Sequence, residues 1–266
     1  MKQIVVVGGT GVAGTAAIRA SREHFRDGAR ITAVWFGRKE ESVAIEGAHS
    51  VLFGDVTTAA TRETIRAAVG DAIDILFFAT ARGDVGFPIV ETTPAQIAEA
   101  CVVSFDPLLA FEREFRCELL VAYSTFYRLT VQQATYGAMG HAKARIESWV
   151  AESPRHACIR AGAFDSESSR AIGLLLRRMA RDQGDAVSPL LRDFFEGRTT
   201  QEGLERLRAT AQSEERETLG DSGTGPEGLL DAHRTLLATD FAKEPRRFVN
   251  VAGRKVWLSA EPQPLP

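Results

Sequence analysis

A tyrosine and a lysine stand seven residues apart in the segment ATYGAMGHAKARIESWV, residues 134 to 150, with Met139 between them. A phenol donates a hydrogen bond or a proton, an ammonium holds positive charge, and a thioether does neither. Seven residues are close to two helical turns, so Tyr136 and Lys143 share a face, about 10 Å apart along the axis if both are helical. Gly137 and Gly140 argue against a regular helix from Tyr136 onward and predict that the tyrosine sits in its lead-in. Such a pair suits an oxygen that becomes negative during a reaction. His141 lies off the shared face and reads as a surface residue. His24, His49, His156 and His233 are scattered without ligand spacing, so no metal site is expected.

A second candidate site lies at the start of the chain. VVVGGTGVAGTAAIRA sets Gly8, Gly11 and Gly14 between a β-branched run and an amphipathic one, with Thr10 and Val12 inside the loop. Glycine permits a tight turn and close backbone approach, and a helix N-terminus offers free N–H groups to a pyrophosphate. The second apolar run ends near Phe36 and leads into Gly37-Arg38-Lys39. A carboxylate there would select NADH through the ribose hydroxyl, whereas paired cations favour a 2′-phosphate, so NADPH is expected over NADH. Asp55 follows the third run, placed to meet an adenine edge with Val56 packing its face. Ala79, Thr80 and Ala81 close the fourth run, where the chain passes the cofactor's far ribose.

The elements that must hold these residues follow from hydropathy. QIVVVG, RITAVWF, HSVLF, DILFFAT, ELLVAYS and HACIRAG read as strands too apolar to be half exposed, which suits a parallel sheet covered on both faces. Helical segments between them give a doubly wound α/β fold of the Rossmann type. Thr93, Pro94 and Gln96 supply a capping hydroxyl, a first-turn proline and a capping-box amide for a helix running to about Phe115, broken near Pro107. From about Asp165, segments 167–182, 187–196, 200–217 and 226–240 read as helices, before a last strand RFVNVAG and a proline-rich tail. The expectation is one domain over 1–266, with 165–240 a helical substrate-binding insertion over the carboxyl edge of the sheet. Ile172, Leu175, Leu176 and Met179 form an apolar stripe there that reads as core rather than as an acyl groove.

Composition narrows the class. The 266 residues are 44% hydrophobic and 25% charged, an ordinary globular balance. A formal net charge of −3 gives no basic field to recruit nucleic acid or acidic membrane. Three cysteines without paired spacing, and no apolar run long enough to span a bilayer, predict reduced thiols in a cytoplasmic protein.

The order of these features resembles the short-chain dehydrogenase/reductase superfamily: glycine loop, Asp55-Val56, a strand ending in Ser124, and a helix carrying Lys143. In the commoner branch a tyrosine acid sits four residues before the lysine, and here that position is Met139. Tyr136-Gly-Ala-Met139-Gly140-His-Ala142-Lys143-Ala144-Arg-Ile-Glu147 is instead similar to the enoyl-thioester reductases, whose pattern is tyrosine, six residues, lysine. That resemblance implies a hydride delivered to a carbon–carbon double bond and Tyr136 stabilising the enolate. Lys143 would bind the nicotinamide ribose, Ser124 or Thr125 would orient substrate or amide, and Tyr127 or Tyr123 would give a second hydroxyl. It also implies a small-molecule or thioester substrate, free or on an acyl carrier protein, and a homodimer or homotetramer paired through helices 93–115 and 136–152. Two other readings stand beside it: a carbonyl reductase, and a dinucleotide-binding sensor or scaffold without turnover.

Overall fold

The computed structural model describes residues 1–35, 44–164, 167–182 and 188–264. Its sheet is built on β1 (Lys2–Val7), β2 (Ala29–Trp35), β3 (Ser50–Phe53), β4 (Ala72–Phe78), β5 (Arg116–Thr125) and β6 (His156–Ala161), all parallel. β7 (Phe248–Ala252) joins β6 in parallel, and β8 (Lys255–Ser259) closes the edge antiparallel. Strand order is β3-β2-β1-β4-β5-β6-β7-β8. The order reverses between β1 and β4, so their carboxyl ends frame the crevice where such sheets take ligands.

Alternation along the strands splits the core into two layers. Ile4 and Val6 face α1 (Val12–Phe25) and α10 (Pro226–Ala238). Val5 and Val7 share the other layer with Phe111 of α4 (Asp106–Glu114) and with Ile146 and Trp149 of α6 (Gly137–Ala151). α2 (Ala59–Val69) contributes Ile65 to that second layer. The capping box at Thr93 forms as expected, and the helix it opens divides at Phe105 into α3 (Pro94–Ser104) and α4, with Pro107 in the first turn of the second.

The helical segment after β6 has two parts. α7 (Glu167–Asp182), α8 (Pro189–Phe195) and α9 (Thr200–Leu219) share a separate small core with α5 (Thr130–Thr135), built from Val131, Leu176, Leu191, Phe194, Leu204 and Leu207. α10 instead lies along α1 and covers the sheet. The 165–240 stretch thus divides: α10 belongs to the sheet layer, and α7–α9 form a unit with α5. Ile172 and Leu176 pack into its core, Leu175 is 40% exposed, and the side chain of Met179 lies outside the described residues. No helix among the described residues is long and apolar enough to cross a membrane. All three cysteines are buried and free.

Candidate active site

The glycine loop leaves β1 at Gly8, whose φ of +82° is the left-handed region that favours glycine. A Cβ on Gly8 would stand 2.8 Å from the carbonyl oxygen of Ala79, and one on Gly14 would strike the Gly8 carbonyl. The turn and the close helix packing thus both exclude side chains. Gly11 caps α1 without a side-chain acceptor, so the first-turn N–H groups remain open, and Thr10 and Gly11 are exposed beside them with Val12 half-buried. This cradle fits a dinucleotide pyrophosphate. Ala79 borders it, while the next residue turns toward α3, Thr80 Oγ1 donating to Val103 O at 3.3 Å. Asp55 Oδ1 accepts from Thr57 N at 2.9 Å and Thr57 Oγ1 at 2.7 Å, which fixes the turn at the end of β3. Val56 is 4% exposed and packs into the core with Ile65, so its side chain is not a surface for adenine. Arg38 and Lys39 lie outside the described residues.

Tyr136 occupies the joint between α5 and α6, as the two glycines after it suggested. The loop after β4 clamps that joint. Gly86 N donates to Thr135 O, Gly137 N to Phe87 O at 2.9 Å and Ala138 N to Asp84 O at 3.0 Å. Gly137 has φ +44°, and a Cβ there would sit 2.7 Å from Asp84 O. Gly140 accepts Ile89 against its bare Cα in the same way. His141, half-buried, meets the same loop through Nε2 and Ile89 O at 3.1 Å.

From this joint the phenol reaches the end of β5. Burial raises its pKa, and the Thr125 side chain stands close enough to draw it partly back. The phenol therefore stays protonated at neutral pH. Thr125 Oγ1 gives its one hydrogen to Ala161 O at 2.9 Å, so it offers lone pairs toward Tyr136. Lys143 is 7% exposed and donates from Nζ to Tyr123 O at 2.8 Å, two residues back along the same strand. Burial lowers its pKa to about 8, and the bond to Tyr123 uses one of three ammonium hydrogens. Met139, one turn before Lys143, is 3% exposed.

Ser124 and Tyr127 do not join this group. Neighbouring residues of a strand point to opposite faces, and Ser124 turns away from Thr125 to donate to Glu147 Oε1 at 2.6 Å. Glu147 is fully buried, pairs with Arg160 Nη2 at 2.6 Å and accepts from Gln263 N at 2.7 Å. Tyr127 is also fully buried, donates to Gln263 O at 2.9 Å, and is held by burial far above the usual phenol range. Gln263 Nε2 closes the network on Thr125 O at 2.8 Å. Tyr123, the other alternative, bonds His233 Nε2 at 2.7 Å, and His233 Nδ1 faces Leu229 O at 2.7 Å. Burial holds that imidazole neutral, with a pKa of about 4. Its Nδ1 hydrogen then goes to Leu229 and its Nε2 accepts from Tyr123. The chain has three tyrosines: Tyr123 and Tyr127 are tied to His233 and Gln263, whereas the hydroxyl of Tyr136 meets the Thr125 side chain at the end of β5.

Among the described residues no cluster of three His, Cys, Asp or Glu side chains is placed to hold a metal ion. No family model matches the sequence. No curated protein matches it either. Solved structures do match. An NAD+-bound xylitol dehydrogenase superimposes with a TM-score of 0.63 at 16% identity, over 95% of this chain and 98% of its own. A levodione reductase gives 0.59 at 15%, over 95% and 96%. A short chain dehydrogenase family protein from Francisella tularensis subsp. tularensis SCHU S4 gives 0.58 at 13%, over 91% and 93%. The chain carries the fold of the short-chain dehydrogenases/reductases.

Proposed function

We propose that this chain is an NAD(P)-dependent oxidoreductase in which Tyr136 hydrogen-bonds the substrate oxygen that gains negative charge. The observation that carries the reading is the disposition of the three phenols. Tyr123 and Tyr127 are tied to His233 and Gln263, whereas Tyr136 stands beside Thr125 at the carboxyl end of β5. When bound, the reduced nicotinamide supplies a hydride to the substrate. The loop from Gly8 to Gly14 and the open N-terminus of α1 hold the pyrophosphate, Lys143 binds the nicotinamide ribose, and Arg38 with Lys39 favours NADPH. Tyr136 remains a protonated donor because burial raises its pKa, and the Lys143 ammonium stabilises the developing anion.

The spacing of Tyr136 and Lys143 favours a double bond conjugated to a carbonyl, an enoyl thioester or a related enone, because hydride addition at the β carbon puts the charge on a more distant oxygen. A second reading, reversible carbonyl reduction, is favoured by the Thr125 hydroxyl beside Tyr136 and by neighbours described as a xylitol dehydrogenase and a levodione reductase. NADPH oxidation measured with crotonyl-type thioesters, enones and ketones separates them. Tyr136→Phe should remove most turnover, roughly a hundredfold or more, while NADPH affinity by fluorescence titration stays nearly intact. An undiminished rate in that variant would remove the mechanism.

A further inference from the structure

Charged side chains in the loops at the carboxyl ends of the strands are nearly all engaged. Asp55 accepts from Thr57, Asp84 from Gln96 Nε2 at 3.2 Å, and Glu91 from Ser188 Oγ. Arg128 also has a partner. Arg82 is the exception. Among the described residues between β1, β3, β4 or β5 and the α-helix that follows each, it is the one ionic side chain that is exposed and makes no hydrogen bond or ion pair. Its backbone is firmly held. Ser104 of α3, fully buried, accepts from Arg82 N at 2.9 Å and donates to Arg82 O at 2.8 Å. One residue on, a Cβ at Gly83 would stand 2.8 Å from Ala100 Cβ and 3.3 Å from Met139 N. The chain is thus wedged between α3 and the first turn of α6, with the guanidinium left in solvent.

The wedge sets Arg82 beside both halves of the candidate site. Met139, against which Gly83 packs, lies between Tyr136 and Lys143. Just beyond Arg82, Asp84 O accepts from Ala138 N at 3.0 Å in the clamp on the tyrosine joint. Just before it, Ala79 borders the glycine loop. Arg82 therefore stands on the stretch of chain that joins the dinucleotide cradle to the joint at Tyr136. A guanidinium offers paired N–H donors whose geometry matches a carboxylate or a phosphate, and a fixed backbone lowers the entropy lost when it binds one. We propose that Arg82 is a specificity-determining residue, its guanidinium binding a carboxylate or phosphate group on a substrate whose carbonyl meets Tyr136. The inference rests on the oxidoreductase reading and names its substrate class: carbonyl compounds carrying a second, anionic group. A neutral ketone or ester makes no such contact and is the poorer substrate.

The test compares kcat and KM, with NADPH, for oxo and enoyl acids with the carboxylate at successive carbons, for oxo compounds carrying a phosphate monoester, and for the neutral methyl esters of the acids. The wild-type chain should prefer the best anionic compound by roughly tenfold or more, through KM, and the series that responds identifies the group. The preference should shrink as salt is raised, because the guanidinium is open to solvent. Arg82→Met, which keeps an unbranched stem and loses the charge, should erase it, and Arg82→Lys should keep part of it. NADPH affinity by fluorescence titration should be the same in all three proteins. No preference in the wild type, an unchanged one in Arg82→Met, or a loss confined to NADPH affinity would overturn the inference while the oxidoreductase reading stands. If the wild type reduces none of the compounds, that reading fails, and thermal unfolding with NADP+ and the same compounds decides the role of Arg82. Stabilisation by an anionic compound over its ester in the wild type but not in Arg82→Met supports the anion site, and equal shifts or none refute it.

Discussion

Replacing Lys143 with methionine should stabilise the dinucleotide-free protein, even though the proposed mechanism gives that residue a role. Burial lowers the Lys143 pKa from 10.5 to about 8. At ~1.4 kcal/mol per pKa unit, holding the charged form inside costs about 3 kcal/mol at neutral pH. Between about 8 and 10.5 the unfolded chain binds more protons than the folded one, so stability rises with pH through that window. Below it the whole cost is present, and above it the cost is gone. Methionine keeps an unbranched apolar stem without the charge but forfeits the bond to Tyr123 O, worth about 1.5 kcal/mol for a charged donor. The net expectation at pH 7 is a gain of about 1–2 kcal/mol, a few degrees in melting temperature. Urea unfolding of both proteins from pH 7 to 10.5 should show the methionine variant ahead at pH 7 and its lead vanishing as the wild-type amine deprotonates. With saturating NADPH the order should reverse, because the ligand stabilises whichever form binds it more tightly. A variant less stable at pH 7, or a lead independent of pH, would mean that the ammonium is solvated and that its placement under the strand end is wrong.

Acid should act through His233. Its folded pKa of about 4 lies below the ordinary 6.5, so stability should fall by about 3 kcal/mol as pH drops from 6.5 to 4. Unfolding of His233→Gln over that range should be markedly flatter, and parallel curves would exclude the imidazole as the cause. Gln263 ties the C-terminal segment to Thr125 O and Glu147. Gln263→Ala should cost about 1–3 kcal/mol of stability and lower kcat roughly tenfold by loosening the end of β5, and steady-state kinetics matching the wild type would refute that link. Arg38→Ala should raise the Michaelis constant for NADPH far more than for NADH, whereas equal effects would mean that the basic turn carries no 2′-phosphate.

The parallel strands were legible because each is a short apolar run between polar, glycine-bearing turns, and burial on both faces demands that composition. The antiparallel β8 was missed because only two residues separate KVWLS from β7, ahead of a proline-rich tail. The signal was present: a tight hairpin through Gly253, at φ +57°, followed by an alternating run. The four helices after β6 were equally legible, but their division was not. α10 and α9 carry the same kind of apolar stripe, and only tertiary packing reveals that one covers β1 and β4 from the α1 side while the other packs with α5, α7 and α8.

At the site, residue type and local spacing marked Tyr136 and Lys143, whereas the choice between Ser124 and Thr125 depended on which face of β5 is which. No local pattern points to Gln263, 116 residues from its partner Glu147. Glu215 interrupts the apolar stripe of α9, and only the fold pairs it with Ala163 N. The position of the phenol is itself a consequence of packing. The loop from Asp84 to Ile89 fills the space over Gly137 and Gly140, and the backbone leaves the right-handed region at Gly137, directly after Tyr136. One turn before Lys143, at 3% exposure, Met139 occupies room where a thioether packs and donates nothing. In the proposed mechanism the donor therefore stands at the joint that precedes the helix and not on its face, where the clamp from the loop after β4 holds Tyr136 near Thr125.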